Sequence, residues 1–211
     1  MKNYPINLVG RALSSTIVIG GGEVAARKVE GLLDAGAQIT VISPTLTPDL
    51  QLLADSGRIA FTARPYREGD LSGAFLVIAA TGDSEVNLSV WREAKRCGCL
   101  INVVDDPRHS DFITPAVVRR GEMSLAISTG GSSPALAHRL RERLESLIEP
   151  EYGPLTEILA ELRPELIDHF SPGEPRFQAA FRMIDSEILN ILRTQGKEAA
   201  LTYGRERLHR Q

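Results

Sequence analysis

Cysteine, long apolar runs and excess charge are all scarce in this chain. Its 211 residues include two cysteines, Cys97 and Cys99, in "RCGCL". One intervening residue is too few for the Cys-x-x-Cys spacing of zinc or redox sites. A disulfide framework would need an oxidising compartment. The pair therefore reads as small residues at a helix-to-strand junction. No apolar run approaches the roughly 18–20 residues that cross a bilayer. The stretch "MKNYPINLVGRALSSTIVIGGG" lacks a signal-peptide pattern, because Arg11 interrupts it and no small-residue cleavage site follows. A cytoplasmic location is the expectation, with no membrane partner. The formal net charge is −3, so no global basic field marks a nucleic-acid binder. The four histidines, His109, His138, His169 and His209, stand at no fixed metal-ligand spacing with carboxylates. Packing or surface positions are expected for them, and no metal ligand is assigned.

What is present is alternation. Short apolar runs at 15–20, 38–43, 58–64, 74–81 and 100–104 read as strands. Helical spacing covers 23–36, 46–57 and 84–98, each ending at a glycine. The run "AFLVIAAT" is continuously apolar, as a strand buried on both faces should be. Strands alternating with helices predict an α/β fold with a parallel sheet covered on both faces. The pattern changes after Asp111. Residues 112–129 read as two strands around a turn at Arg120-Gly121, and 132–148 as a helix with Ser133 as N-cap and Pro134 in its first position. Pro150, Gly153 and Pro154 mark a break. The remainder is helical, with interruptions at "RPE" and "SPGEP". Three segments follow: 1–113, 114–148 and 149–211.

"TIVIGGGEVAARK" sets Gly20, Gly22 and Ala25 in a G-x-G-x-x-A pattern between the first strand and the first helix. The first glycine makes the tight turn, the second admits a pyrophosphate to the backbone, and the third small residue lets helix and strand pack closely. The helix start, Glu23 and Val24, offers free N–H groups and a partial positive charge to phosphate. A ribose-binding acid is missing where it is usual. The second strand ends "VISPTLTP", so Ser43, Pro44 and Thr45 are the residues left to hold the ribose. The first run with a comparable glycine loop also occurs in SAM-dependent methyltransferases, which place an acid there too, so its lack separates neither reading.

A second feature needs explaining. "LINVVDDPRHSDF" is a buried-strand run that stops at adjacent acids, Asp105 and Asp106. These are a turn, a metal site or an acid/base.

Taken together, "IVIGGGEVAARKVEGLLDAGAQITVISP", "VIAATGDSEVN", "INVVDDPRHSDFITPAVVRRG" and "LAISTGGSSPALAHRLRERLE" resemble the precorrin-2 dehydrogenases of sirohaem biosynthesis. Some members also act as sirohydrochlorin ferrochelatases, and some are fused to a methyltransferase. The likeness is close over residues 4 to about 150 and only general beyond. It implies an N-terminal NAD-binding Rossmann domain, a small α+β dimerisation segment and a C-terminal helical domain. It also implies oxidation of precorrin-2 to sirohydrochlorin with NAD as cofactor, and a homodimer. In the members that insert metal, Fe2+ is a second substrate.

The resemblance makes Asp105 the functional aspartate, because it directly follows Asn-Val-Val. In an open α/β sheet, ligands bind beyond the carboxyl ends of the strands. Asp105 shares that edge with Gly20, Gly22, Ser43 and Thr81. A carboxylate there can take the proton released by dehydrogenation. Asp106 reads as a turn residue before Pro107. The substrate is a polycarboxylate, so guanidinium groups are candidates for it: Arg119, Arg120 and Arg139. The loop Ser128, Thr129 and Gly130 before a helix suits an anion. One family member carries phosphoserine there, at the position of Thr129, with Ser128 beside it. The competing function is a non-catalytic NAD-sensing module, against which a carboxylate beyond the sheet edge argues.

Overall fold

The structure is a computed structural model that describes residues 3–184 and 187–209. It divides into two compact units, the first ending at Thr114 and the second beginning at Pro115.

Five strands build the first unit: β1 (Thr16–Ile19), β2 (Ile39–Ser43), β3 (Ala60–Ala63), β4 (Leu76–Ala79) and β5 (Leu100–Val103). All are parallel, in the order β3-β2-β1-β4-β5. Every residue of β4 is buried, as its unbroken apolar run requires. Helices α1 (Glu23–Leu33) and α2 (Pro48–Asp55) cover one face, where Ala25, Val29 and Leu50 pack on Val18, Val41 and Ile78. Helix α3 (Ser84–Cys97) covers the other, with Val90 and Ala94 against Val77, Ile101 and Val103. Strand order reverses between β1 and β4. Such a switch leaves a crevice at the carboxyl ends of those two strands, and that crevice is where this architecture receives ligands.

The helix ends follow local chemistry. Asp83 caps α3 by accepting from the N–H groups of Glu85 and Val86, and Gly98 closes it in the left-handed conformation. Cys99 then lies buried at the start of β5, and Cys97 is exposed. The buried carboxylate of Glu93 orders the β3–β4 connection. It accepts from the Gly69 and Leu71 N–H groups at 3.0 and 2.9 Å, and from the Tyr66 hydroxyl. Burial, then this bond, raises the Tyr66 phenol well above its ordinary value. Arg64 grips Asp70 with two bonds of 2.7 Å in the same connection.

The second unit opens with an antiparallel hairpin, β6 (Ala116–Arg120) and β7 (Met123–Ile127), followed by α4 (Pro134–Leu147). The Ser133 hydroxyl caps α4 by accepting from Leu136 N at 3.2 Å, as its sequence position predicts. Four helices follow: α5 (Tyr152–His169), α6 (Glu174–Ile184), α7 (Ile188–Gln195) and α8 (Lys197–His209). They close around Leu155, Ile158, Leu162, Met183, Ile188 and Leu201.

Two sequence expectations fail here. The break at Pro150 is shorter than expected, because Gly153 and Pro154 already lie in the first turn of α5. A proline costs nothing there, since first-turn N–H groups have no intrahelical partner. The interruption at "RPE" is absent, and α5 runs through Pro164. The apolar stripe Leu155, Ile158, Leu162 and Leu166 is buried on both sides of the proline. That burial outweighs one lost bond, and the freed carbonyl belongs to Ala160 on the exposed face, where water reaches it. The break at "SPGEP" does occur, between α5 and α6. Among the described residues no helix is long and apolar enough to cross a membrane.

Candidate functional site

Three consecutive glycines follow β1, and each has a different physical reason. Gly20 has φ +120°, and a Cβ there would lie 2.4 Å from the Ala80 carbonyl oxygen. It therefore lets β1 and β4 stay close at the switch point. Gly21 is tighter still: a Cβ would fall 2.1 Å from Thr45 O and 2.8 Å from Ser43 Oγ. Its own carbonyl accepts from Thr47 N at 2.9 Å. Gly22 is the opposite case. Its backbone is extended, at φ −87° and ψ −176°, and nothing lies within 4 Å of a built Cβ. Space therefore opens at the second glycine of the pattern. Gly22 is also the N-cap of α1 and supplies no side-chain cap, so the first N–H groups of α1, at Glu23 and Val24, meet no capping side chain. An uncapped helix start with its positive dipole end beside open space is a cradle for phosphate. Ala25, the third small residue, is fully buried against the sheet.

The residues expected at the ribose end β2 beside that cradle. Ser43 is buried, and Pro44 and Thr45 are exposed. No carboxylate stands among them. Thr81, just past β4, faces its own chain: its hydroxyl donates to Asn87 Oδ1 at 2.8 Å, and Asn87 Nδ2 donates to Thr81 O at 3.0 Å. Thr81 thus anchors the start of α3, and what it offers the crevice is position.

Asp105 follows β5 at the same edge. It is exposed. Among the described residues it is the one non-glycine with positive φ, at +60°. That conformation is strained for a residue with a Cβ. No hydrogen bond or ion pair engages its carboxylate among the described residues. A cation lies in its field, however. Lys28, two turns into α1, donates to Thr114 Oγ1 at 3.1 Å. Burial pushes the Lys28 ammonium below its ordinary value, and the Asp105 charge opposes that shift. Asp106 turns back onto its own loop instead. Its carboxylate accepts from Arg108 N and His109 N at 3.0 and 3.3 Å, capping the short 3-10 helix Pro107–His109. This is the turn role its place before Pro107 predicts.

The residues expected for the substrate lie in the second unit. The hairpin register pairs Arg120 with Met123 and Ala116 with Ile127. Arg119 and Arg120 therefore sit at the turn, and the loop with Ser128, Thr129 and Gly130 leaves the opposite end, about 16 Å away for five extended residues. Arg120 is engaged structurally, donating to Ile148 O at 2.9 Å and Glu145 O at 2.8 Å at the end of α4. Arg139 is exposed and pairs with Glu142 at 3.0 Å. Ser128 Oγ accepts from Gly130 N at 3.1 Å, and Thr129 Oγ1 accepts from Ser133 N at 3.1 Å. Arg119 is exposed, and among the described residues no hydrogen bond or ion pair engages its guanidinium.

Sequence reasoning missed Gly21, Lys28 and Asn87. The run of three glycines is the signal for Gly21. Nothing local marks the other two, because each matters through a partner distant in sequence or across a turn.

Comparison with known proteins gives a consistent picture. The profile of a family described as NAD(P)-binding matches residues 12–116, and that of the sirohaem biosynthesis protein central region matches residues 120–147. Siroheme synthase 1 of Aeromonas salmonicida (strain A449) is 41% identical over 184 residues, covering 87% of this chain and 39% of its own. The siroheme synthase of Methylobacillus flagellatus is 46% identical over 160 residues, covering 76% of this chain and 34% of its own. This chain thus spans about 39% of the length of the first of these and less of the second. Among solved structures, SirC, a precorrin-2 dehydrogenase, is 30% identical with a TM-score of 0.77, covering 98% of this chain and 100% of its own.

Proposed function

Since the chain belongs to the precorrin-2 dehydrogenase family of sirohaem biosynthesis, we propose that it oxidises precorrin-2 to sirohydrochlorin with NAD. The observation that carries this reading is a juxtaposition on one sheet edge. An uncapped helix start with an open glycine, Gly22, stands at the end of β1, and an unengaged carboxylate, Asp105, stands at the end of β5. The first feature fits a dinucleotide's pyrophosphate. The second fits a group that handles a proton.

NAD, when bound, supplies the hydride acceptor. Gly20 to Gly22 with the N–H groups of Glu23 and Val24 hold its phosphates, and Ser43 to Thr45 hold the ribose. Asp105 takes the proton that leaves the macrocycle. Its exposure and lack of a competing partner keep the carboxylate oxygens available, and the strained backbone fixes their direction before the substrate arrives. Lys28 offsets the negative charge that a polycarboxylate would otherwise meet at Asp105. The cationic and hydroxyl groups of the middle segment, Arg119, Arg139 and the Ser128–Gly130 loop, are assigned to the substrate carboxylates. We assign the homodimer to segment 114–148, because a two-stranded hairpin is marginal alone.

The test is anaerobic incubation of precorrin-2 with NAD, watching absorption change to that of sirohydrochlorin. Formation of sirohydrochlorin and NADH in equal amounts supports the reading. NAD binding without turnover would favour the sensing module. Adding Fe2+ afterwards tests for the metal insertion that some family members perform: metallated product formed without another protein would assign it to this chain, and its absence would exclude it.

A further inference from the structure

Asp105 is strained, exposed and unengaged, so something nearby must hold it. The segment after β5 shows what does. Asp106 N donates to Val103 O at 3.1 Å. The Asp106 carboxylate accepts from the backbone N–H groups of Arg108 and His109 through one oxygen, and from His109 Nδ1 at 2.5 Å through the other. Ser110 Oγ donates to Asp106 O at 2.8 Å and accepts from Val103 N at 2.9 Å. The His109 ring rests edge-on against Trp91 of α3, with centroids 4.6 Å apart. Asp111 N and Asn102 Nδ2 tie the returning chain back to β5 at 2.7 and 2.9 Å. Every residue from Asp106 to Asp111 except the exposed Pro107 thus makes at least one hydrogen bond. Asp105, at the apex of this closed loop, makes none with its side chain.

We propose that the Asp106–His109 pair is a positioning device for Asp105: it clamps the loop so that Asp105 keeps its left-handed backbone and presents its carboxylate to the crevice. This rests on the reading of Asp105 as the proton-handling group. The two adjacent acids therefore divide the work, one facing the ligand and one facing the loop. The chemistry of the pair supports a fixed geometry. The His109 bond holds the Asp106 carboxyl below the ordinary carboxylate range, so the acceptor is ionised. An ionised acceptor at Nδ1 sets the ring tautomer and its orientation, and Trp91 fixes the ring from the side. A left-handed backbone is unfavourable for a residue with a Cβ. Losing the bonds that close the loop is therefore expected to let Asp105 relax.

The experiment is a double-mutant cycle of Asp105→Asn and Asp106→Ala, read as kcat with saturating NAD, beside NAD affinity by calorimetry and thermal midpoints. Asp106→Ala is expected to lower kcat by about tenfold or more in the wild-type background and by less than about twofold in the Asp105→Asn background, since neighbouring residues acting through one group are not additive. NAD affinity should not move. Asp106→Asn keeps an acceptor for the two backbone N–H groups and should recover part of the rate. His109→Phe keeps the ring on Trp91 but removes the donor, and should reproduce a part of the loss. Nitrogen NMR of His109 provides a readout apart from turnover: the Nδ1–H tautomer is expected in wild type and should be lost in Asp106→Ala. Equal losses in both backgrounds, or unchanged kcat in Asp106→Ala, overturn the inference while leaving the role of Asp105 intact. Near-normal turnover in Asp105→Asn alone sinks the reading of Asp105 and this inference with it.

Discussion

Substituting the three glycines one at a time separates packing from ligand binding. A Cβ at Gly21 meets the Thr45 carbonyl oxygen at 2.1 Å and Ser43 Oγ at 2.8 Å, both far inside van der Waals contact. Thr45 O is backbone, so the β2–α2 loop has to move as a whole. Overpacking of this kind costs about 1–3 kcal/mol. For a unit of this size each kcal/mol lowers the thermal midpoint by roughly 4–8 °C. Gly21→Ala should therefore melt roughly 5–20 °C below wild type. Gly20→Ala should lose at least as much, because its Cβ meets Ala80 O at 2.4 Å and its φ is +120°. Gly22→Asp should differ. Nothing lies within 4 Å of its Cβ and its backbone is extended, so stability should stay within about 0.5 kcal/mol of wild type. NAD binding should collapse, because the side chain and its charge occupy the phosphate position. Losing one or two charge-assisted bonds at about 1.5–3 kcal/mol each weakens affinity at least about tenfold and up to about 10⁴-fold. Scanning calorimetry and NAD titration on the same three proteins make the comparison. A folded Gly22→Asp protein that binds NAD as wild type does would refute the assignment of the cradle. An unchanged midpoint for Gly21→Ala would refute the packing argument.

Four further outcomes are expected. Asp105→Asn should lower turnover by roughly 10²–10⁴-fold with little change in NAD affinity; stopped assays at saturating NAD check this, and near-normal turnover refutes it. Arg120→Ala strands the Glu145 and Ile148 carbonyls at the end of α4 and should cost about 1–3 kcal/mol in urea unfolding; an unchanged midpoint would leave only a ligand role for Arg120. The two bonds from Arg64 hold the Asp70 carboxyl below the ordinary carboxylate range. Its folded pKa is depressed, so its contribution is present above the unfolded value near pH 4 and is lost as pH falls through the folded value. Melting midpoints of wild type should therefore drop more steeply with acid than those of Asp70→Asn, and parallel curves would contradict the link. The hairpin of β6 and β7 should pair with its copy across a twofold axis, and a monomer at micromolar concentration in sedimentation would contradict that.

Much of the first unit was legible because its signals are local. Strands β1, β2, β4 and β5 are apolar runs bounded by glycine or polar residues, and α3 carries its own cap and stop in Asp83 and Gly98. Strand and helix ends still contracted by one to four residues, since terminal residues of each run, such as Ala80 and Thr81, leave the sheet to form the crevice. Pro164 was misread because proline breaks an isolated helix, whereas α5 is held by burial of Leu162 and Leu166 on either side. At the site, the glycine pattern and Asp105 carry their chemistry in neighbouring residues. Asp106 showed only its turn role, as its bond to His109 depends on a 3-10 turn that no apolar periodicity marks. Nothing in the sequence around Lys28 marks it. Its position beside Asp105 exists only once α1 lies over the sheet.

The contact between Gly21 and the β2–α2 loop bears on coenzyme choice. Thr47 N holds the Gly21 carbonyl, and Thr45 O leaves no room for a side chain at Gly21. The loop assigned to the phosphates and the loop assigned to the ribose are therefore a single piece. In many dinucleotide enzymes, selectivity for the 2′ position is a separable trait, retuned by exchanging the residue after the second strand. Here an exchange at Ser43, Pro44 or Thr45 that shifts the loop carries the phosphate cradle with it. Preference and affinity should then change together across any set of such variants, and engineering one without the other requires replacing both loops at once.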